Sequence, residues 1–310
     1  MSLPDKLAGV FAAVLTPLTA DLRPDLGRFV DHCKRLLRSG CDGLAPLGTT
    51  GEANSIALID RIALIEAASR VGLPLQQMIV GTGTSALHDT VALSRTALEA
   101  GAGGILVLPP YYYKSPSEDG LFAAYAALLE RIGDLAPRVY MYHFPQMSAV
   151  PITLTLVTRL REAYPGLIVG MKDSSGDFAN TSAFIDAFDD FAVFSSSEDL
   201  LLANIAKGGA GCISATTNVT ATLAQAAVAA YRSSGGGEAE QELAASVRRV
   251  ILRFPGIPAL KAIVAARRGD PAWLNILPPH VALPAADTAA LFAALSEFDE
   301  FSALRAQAAE

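Results

Sequence analysis

Gly43-Leu44-Ala45-Pro46-Leu47-Gly48-Thr49-Thr50-Gly51-Glu52 is a short apolar run that breaks into a glycine-flanked polar turn. Beyond it, Ile56, Ile59, Leu64 and Ile65 contribute to an apolar stripe at helical spacing, and upstream Phe29, Cys33, Leu36 and Leu37 form another. The unit is therefore helix, buried strand, polar turn, helix, and it recurs along the chain. Further short runs rich in Val, Ile and Leu, bounded by Gly or Pro, fall at 9–15, 78–81, 104–108, 139–142, 168–171, 192–194 and 211–213, which with 43–47 makes eight candidate strands. They are mostly apolar on both faces, as parallel strands covered by helices are, whereas half-solvated antiparallel strands alternate.

Eight strand-helix units in succession predict an α/β protein with a (β/α)8 TIM barrel, because right-handed crossovers and a twisted sheet close at eight. The rival is an open doubly wound sheet. A dinucleotide-binding sheet should show GxGxxG after its first strand, and the nearest match, Gly81-Thr82-Gly83-Thr84-Ser85-Ala86, has no third glycine. After Gly237 the strand signal ends. Helical patterns near 238–254, 257–268 and 285–304, separated by Pro255, Pro258, Pro278, Pro279 and Pro284, predict a C-terminal helical extension. The expected division is a barrel over 1–232 and an extension over 238–310.

The chain has 310 residues, 51% of them hydrophobic and 18% charged, enough apolar material for a large core without disulfides or structural metal. A net charge of -7 argues against a surface that tracks nucleic-acid phosphates. Cys33, Cys41 and Cys212 show no CxxC spacing, which fits reduced core thiols in a cytoplasm. The apolar stretch 7–18 behind Lys6 is too short to span a bilayer, and Asp5 beside that lysine weakens a signal-peptide reading. It serves better as a buried first strand.

In a barrel of this kind the chemistry sits where strands end, so polar residues after the apolar runs are the ones to inspect. His32, His88, His143 and His280 are scattered and no HxH, HExxH or DxDxDG spacing occurs, so no metal is expected. Gly48 to Glu52 lacks the GK[ST] of a phosphate loop, and GxSxG is absent. Lys172, at the end of the sixth run, is placed to point toward the barrel mouth with little water around it. Desolvation favours the neutral amine that attacks a ketone, which suits Schiff-base catalysis; a lysine snorkelling at a strand end is the alternative. Asp173 should face the other way, because strand side chains alternate. Thr49 and Thr50 offer hydroxyls and backbone N–H groups suited to a small carboxylate, or else belong to a helix N-terminus with Glu52 as its capping carboxylate. Tyr111, Tyr112 and Tyr142 near strand ends are either site tyrosines or ordinary aromatic packing.

Together these residues resemble the dihydrodipicolinate synthase and N-acetylneuraminate lyase superfamily of class I, pyruvate-dependent aldolases. The likeness runs from Thr16-Pro17 through Gly48-Thr49-Thr50-Gly51-Glu52, Pro110-Tyr111-Tyr112, Tyr142-His143-Phe144-Pro145 and Gly170-Met171-Lys172-Asp173 to Gly211-Cys212-Ile213-Ser214. The resemblance implies that Lys172 forms an imine with pyruvate and that Tyr142 relays protons. It implies that Thr49 and Thr50 bind the pyruvate carboxylate, with Thr50 also joining the hydroxyl relay beside Tyr142. Tyr112 matches the tyrosine that reaches a neighbouring subunit's site, and Ile213 the position whose carbonyl lines the pocket. A homotetramer, built as a dimer of dimers, is implied with it; the expected setting is cytoplasmic, with no cofactor, membrane partner or nucleic-acid partner.

One departure bears on the substrate. In the synthases of this superfamily an arginine two residues after the proline holds the carboxylate of aspartate semialdehyde, and here that position is Met147. A thioether makes no charge-assisted contact. Ser196 stands where glycine is common and narrows the pocket, while Ser174, Ser175, Glu198 and Asp199 offer partners for hydroxyls. The expected activity is cleavage or synthesis of a 2-keto-3-deoxy sugar acid. The alternatives are dihydrodipicolinate synthase activity, dehydration of a keto-deoxy sugar acid, and a non-catalytic pyruvate-binding barrel.

Overall fold

The computed structural model describes residues 7–306; Asp5 and Lys6, weighed in reading the first apolar stretch, lie outside them. Eight parallel strands form a nearly closed barrel: β1 (Gly9–Ala13), β2 (Gly43–Ala45), β3 (Ile79–Gly81), β4 (Gly104–Val107), β5 (Val139–His143), β6 (Ile168–Asp173), β7 (Ala192–Ser195) and β8 (Gly211–Ser214). They pair in the order β2-β1-β8-β7-β6-β5-β4-β3, and a single parallel bridge between Leu44 and Met78 joins the two ends. All eight coincide with the apolar runs of the sequence. The sixth extends two residues beyond its run, so Lys172 and Asp173 belong to β6 itself.

The helices of the outer layer are α1 (Leu26–Arg38), α2 (Leu58–Arg70), α3 (Leu87–Glu99), α4 (Glu118–Ile132), the single turn α5 (Pro145–Ser148), α6 (Leu154–Ala163), α7 (Phe178–Ala187), α8 (Leu201–Ala206) and α9 (Thr217–Ser234). Several start where a side chain accepts from the first turn: Asp25 from Arg28 N–H at 2.9 Å, Thr153 from Leu156 N–H at 3.0 Å and Asp177 from Ala179 N–H at 2.9 Å. Inside the barrel, Phe11, Tyr140, Tyr142, Phe194 and Ile213 fill the axis. Two glycines make room for these rings. A Cβ on Gly43 would lie 2.1 Å from Phe11 Cε1, and one on Gly170 would lie 2.3 Å from the Ala192 carbonyl and 2.8 Å from the Tyr140 ring. Because residues two apart on a strand share a face, the Tyr140 ring packed under Gly170 forms the floor on which Lys172 stands.

Three more helices follow: α10 (Glu238–Ile251), α11 (Gly256–Arg268) and α12 (Ala285–Leu295). The pattern read as one helix over 285–304 is two elements, since α12 stops at Ser296 and a 3-10 stretch runs over Asp299–Ala306. The Ser296 hydroxyl bonds back to the Ala293 carbonyl at 2.8 Å, competing with continued helix there. These helices bury an apolar cluster of their own, built on Val247, Ile251, Leu260, Ile263, Trp273 and Leu291, which reaches the barrel through Leu15 and Val219. Polar ties add to it. Arg28 of α1 pairs with Asp270, Asn275 donates to the Leu18 carbonyl at 3.0 Å, and Lys261 of α11 pairs with Glu52. Among the described residues no helix is long and apolar enough to cross a membrane.

Candidate active site

Strand register decides which side chains meet at the barrel mouth. Tyr142 of β5 and Lys172 of β6 are Cα partners, so both point inward at one level, and the next pair, His143 and Asp173, points outward. Lys172 is 6% exposed and Tyr142 4%. Lys172 Nζ lies 3.4 Å from the Tyr142 hydroxyl oxygen and 4.6 Å from the centre of its ring. Asp173 is absorbed elsewhere, accepting from Ser175 N–H at 2.9 Å, Asn180 Nδ2 at 2.9 Å and Thr181 Oγ1 at 2.8 Å. Lys172 therefore has no carboxylate beside it on its own strand, as the alternation predicts. His143 is structural: its Nδ1 accepts from Ile152 N–H at 3.0 Å, and burial holds the imidazole below its ordinary pKa, opposed by Asp173.

The turn after β2 brings in the hydroxyls. Gly51 N–H bonds to the Gly48 carbonyl at 3.1 Å and Glu52 N–H to the Thr49 carbonyl at 3.0 Å, closing a tight loop between Leu47 at φ 61° and Glu52 at φ 56°. Left-handed backbone at residues with a Cβ costs of order 1–2 kcal/mol each, so the loop needs holding. Thr16 Oγ1 grips the Gly51 carbonyl at 2.8 Å, and behind the loop the buried Glu52 carboxylate pairs with Lys261 and accepts Leu277 N–H at 2.7 Å. Glu52 is thus an anchor and makes no side-chain cap. The loop presents Thr49 Oγ1 at 3.3 Å from the Tyr142 hydroxyl. Here the geometry differs from the implied relay: Thr49 touches Tyr142, while Thr50, one residue on around the turn, stands on the wall of the cavity without a hydrogen bond to it.

That cavity, about 500 Å3, gathers Thr49, Thr50, Tyr142 and Lys172 with Phe144, Ser174 and Ser196. Its rim holds residues that nothing in the sequence singled out: Arg248 and Leu252 from α10 and its end, and Ile257 from α11. Their signal was hidden because a residue on a helix face carries no strand-end motif. Of the residues predicted to bind substrate, Ser174 and Ser196 are on the wall. Ile213 is packed in the barrel interior with Tyr142 and Phe194, below the wall. Met147 is 59% exposed on α5 and lies off the wall, so its position supplies no group to the cavity.

Glu198 requires a correction. It was expected to accept hydroxyls from a substrate, but its side chain is fully buried and saturated: Ser214, Thr216 and Thr220 hydroxyls donate to it at 2.7, 2.8 and 2.7 Å, and Arg248 stands 3.6 Å away. Its neighbour Asp199 is the acid on the wall, 3.5 Å from Arg248 Nε. Tyr112 is 70% exposed and outside the cavity, packed edge-on against Tyr113, while Tyr111 donates to Asn54 Oδ1 at 3.2 Å. Cys33, Cys41 and Cys212 are free and buried, and burial pushes their thiols up, that of Cys41 to about 12.

An amine, a phenol and a hydroxyl thus meet at the C-terminal mouth of a parallel barrel, and known proteins share that barrel. The dihydrodipicolinate synthetase family profile matches residues 6–265. An uncharacterized DapA-like lyase of Chloroflexus aurantiacus is 37% identical over 87% of this chain and 88% of its own length. The crystal structure of dihydrodipicolinate synthase from Agrobacterium tumefaciens superposes with a TM-score of 0.86 at 31% identity, covering 93% of this chain and 98% of that one. The structure of YagE, a prophage protein of the dihydrodipicolinic acid synthase family from E. coli K12 in complex with pyruvate, gives 0.84 at 26% identity, over 94% and 98% of the two chains. With a match across most of the length and the same barrel under it, the chain belongs to the dihydrodipicolinate synthetase family.

Proposed function

We propose that the protein is a class I, pyruvate-dependent aldolase that cleaves or forms a 2-keto-3-deoxy sugar acid, with Lys172 as the Schiff-base lysine. The observation that carries this reading is Lys172 Nζ at 3.4 Å from the Tyr142 hydroxyl, buried in a cavity that also holds Thr49 and Thr50. In the cleavage direction the amine lone pair attacks the C2 carbonyl and the carbinolamine loses water to give the imine. Proton removal from the C4 hydroxyl then breaks the C3–C4 bond, the electron pair passing to the imine nitrogen as an enamine. The aldehyde leaves, the enamine takes a proton at C3, and water releases pyruvate. Tyr142, between Lys172 and Thr49, is the group placed to move these protons. Thr50 and Thr49, in a loop held from behind, take the carboxylate.

The wall supports a neutral, hydroxylated second substrate. Arg248 is the guanidinium there, and Glu198 and Asp199 already flank it, which leaves the cation little charge to offer an anionic aldehyde. Ser174, Ser196 and Asp199 offer hydroxyl partners. Condensation of pyruvate with aspartate semialdehyde is the second reading, favoured by the 31% identity to a dihydrodipicolinate synthase, with Arg248 as its cation. The exposure of Tyr112 supports its reaching a second subunit in a cytoplasmic homotetramer. The test is borohydride reduction with pyruvate, followed by peptide mapping: one adduct is expected on Lys172, and labelling that persists in Lys172→Ala would remove the reading. Keto-deoxy gluconate and keto-deoxy galactonate should then exceed aspartate semialdehyde plus pyruvate in kcat/KM; the reverse order favours the synthase.

A further inference from the structure

A second cavity, about 140 Å3, lies where α1, α9 and α11 meet, and it shares no wall residue with the first. Its wall carries three guanidiniums, Arg35, Arg267 and Arg268, together with the His32 imidazole, and no carboxylate. Two of the three are held in place by aromatic rings, backbone carbonyls and an imidazole, with no ion pair within salt-bridge distance among the described residues. Arg267 lies 3.9 Å over the Phe301 ring and donates to the Val219 and Glu300 carbonyls at 3.0 and 2.9 Å. Arg268 lies 4.6 Å over the Trp273 ring and donates to His32 Nδ1 at 2.7 Å. Since Nδ1 accepts, the ring proton sits on Nε2, which donates to Asn218 Oδ1 at 2.8 Å.

The third, Arg35, has no side-chain hydrogen bond or ion pair among the described residues, and like Arg267 it is exposed. The acids nearby offset the charge only from off the wall, Glu300 at Arg267 and Asp31 and Asp270 at Arg268. Asp270 is taken by Arg28 at 2.7 Å, and Asp31, one turn before Arg35 on α1, stands off the wall. Burial and the field of Arg35 hold Arg268 down to about 10, opposed by Asp31 and Asp270, and burial with the field of Arg268 holds His32 down to about 3. Like charges converging on a void with no carboxylate on its wall are what an anion relieves, and fixed guanidiniums offer paired N–H donors to oxyanions.

We propose that this cavity is a binding site for a phosphate dianion, free or as a monoester, held by Arg35 and Arg268 with Arg267 at its side. At ~30 Å3 per water the void holds about four or five waters, which fits one phosphate group and excludes a nucleotide from the interior. The organic part of an ester would pass outward over exposed Arg35. The site is chemically separate from the lysine chemistry, so pyruvate in the first cavity leaves it free.

Equilibrium dialysis of radiolabelled inorganic phosphate against the full chain, at fixed ionic strength and with saturating pyruvate, tests the site. One saturable equivalent is expected, unchanged in Lys172→Ala. Arg35→Gln should weaken it at least about tenfold, the size of one charge-assisted hydrogen bond, and Arg35→Lys should restore part of the loss. Arg35 is exposed, so these variants fold. Glycerol 3-phosphate competing more tightly than the free ion assigns the site to esters, and the reverse order assigns it to inorganic phosphate. Non-saturable binding, equal binding by Arg35→Gln, or loss of binding in Lys172→Ala overturns the proposal.

Discussion

Replacing Lys261 with Met removes the cation that answers Glu52, a carboxylate with no solvent exposure. What remains to Glu52 is the single Leu277 N–H at 2.7 Å. Stranding one member of a buried ion pair costs about 3–5 kcal/mol. Unfolding entropy of about 2.1 cal/mol/K per residue over 310 residues gives about 0.65 kcal/mol/K, so the midpoint should fall by about 5–8 °C in scanning calorimetry. The pair is costly to bury even when intact, because burial pulls the Lys261 ammonium below its ordinary pKa and Glu52 only opposes it. The double variant Glu52→Leu/Lys261→Met should therefore lose less than Lys261→Met alone. Since the pair backs the strained Thr49–Thr50 loop, Lys261→Met should also raise the KM for pyruvate while borohydride still labels Lys172 at saturating pyruvate. A midpoint within about a degree of the parent, or a double variant no better than the single, would refute the reasoning.

Tyr142→Phe removes only the relay hydroxyl; kcat should drop about 10²–10⁴-fold with an unchanged circular dichroism spectrum, and a smaller loss in steady-state assays counts against the relay. His32 provides a pH test. Its folded pKa is lowered to about 3 by burial first and Arg268 second, against 6.5 when unfolded. Between those values the unfolded chain binds a proton that the folded chain refuses, so this contribution is present above pH 6.5 and is lost as pH falls toward 3. Urea titrations should show stability falling by about 1.4 kcal/mol per pH unit more steeply in the parent than in His32→Gln over that window.

The barrel was legible because every strand residue but Val169 is buried and four strands, β1, β2, β4 and β8, begin at glycine, a pattern written in consecutive residues. The buried, inward position of Lys172 was legible for the same reason: it closes an apolar run at the barrel mouth. Glu198 misled because exposure cannot be read from its neighbours; the three hydroxyls that saturate it, Ser214, Thr216 and Thr220, come from sequence positions at least 16 residues away. The choice between Thr49 and Thr50 beside Tyr142 depends on a turn with left-handed Leu47 and Glu52, neither a residue that announces such backbone. Arg248 escaped because α10 meets the barrel mouth through tertiary packing of an ordinary amphipathic helix.

The Lys261–Glu52 tie and the rim residues of α10 and α11 set an order in time. A ribosome that has finished β8 at Ser214 has already made Lys172, Tyr142 and Thr49. It has yet to make Arg248, Leu252 and Ile257, which complete the wall, and Lys261 and Leu277, which brace the Thr49–Thr50 loop. The buried amine is therefore synthesised early, and the last part of its enclosure arrives from the last quarter of the chain. Until the final helices dock, the emerging barrel carries Lys172 without the complete pocket around it.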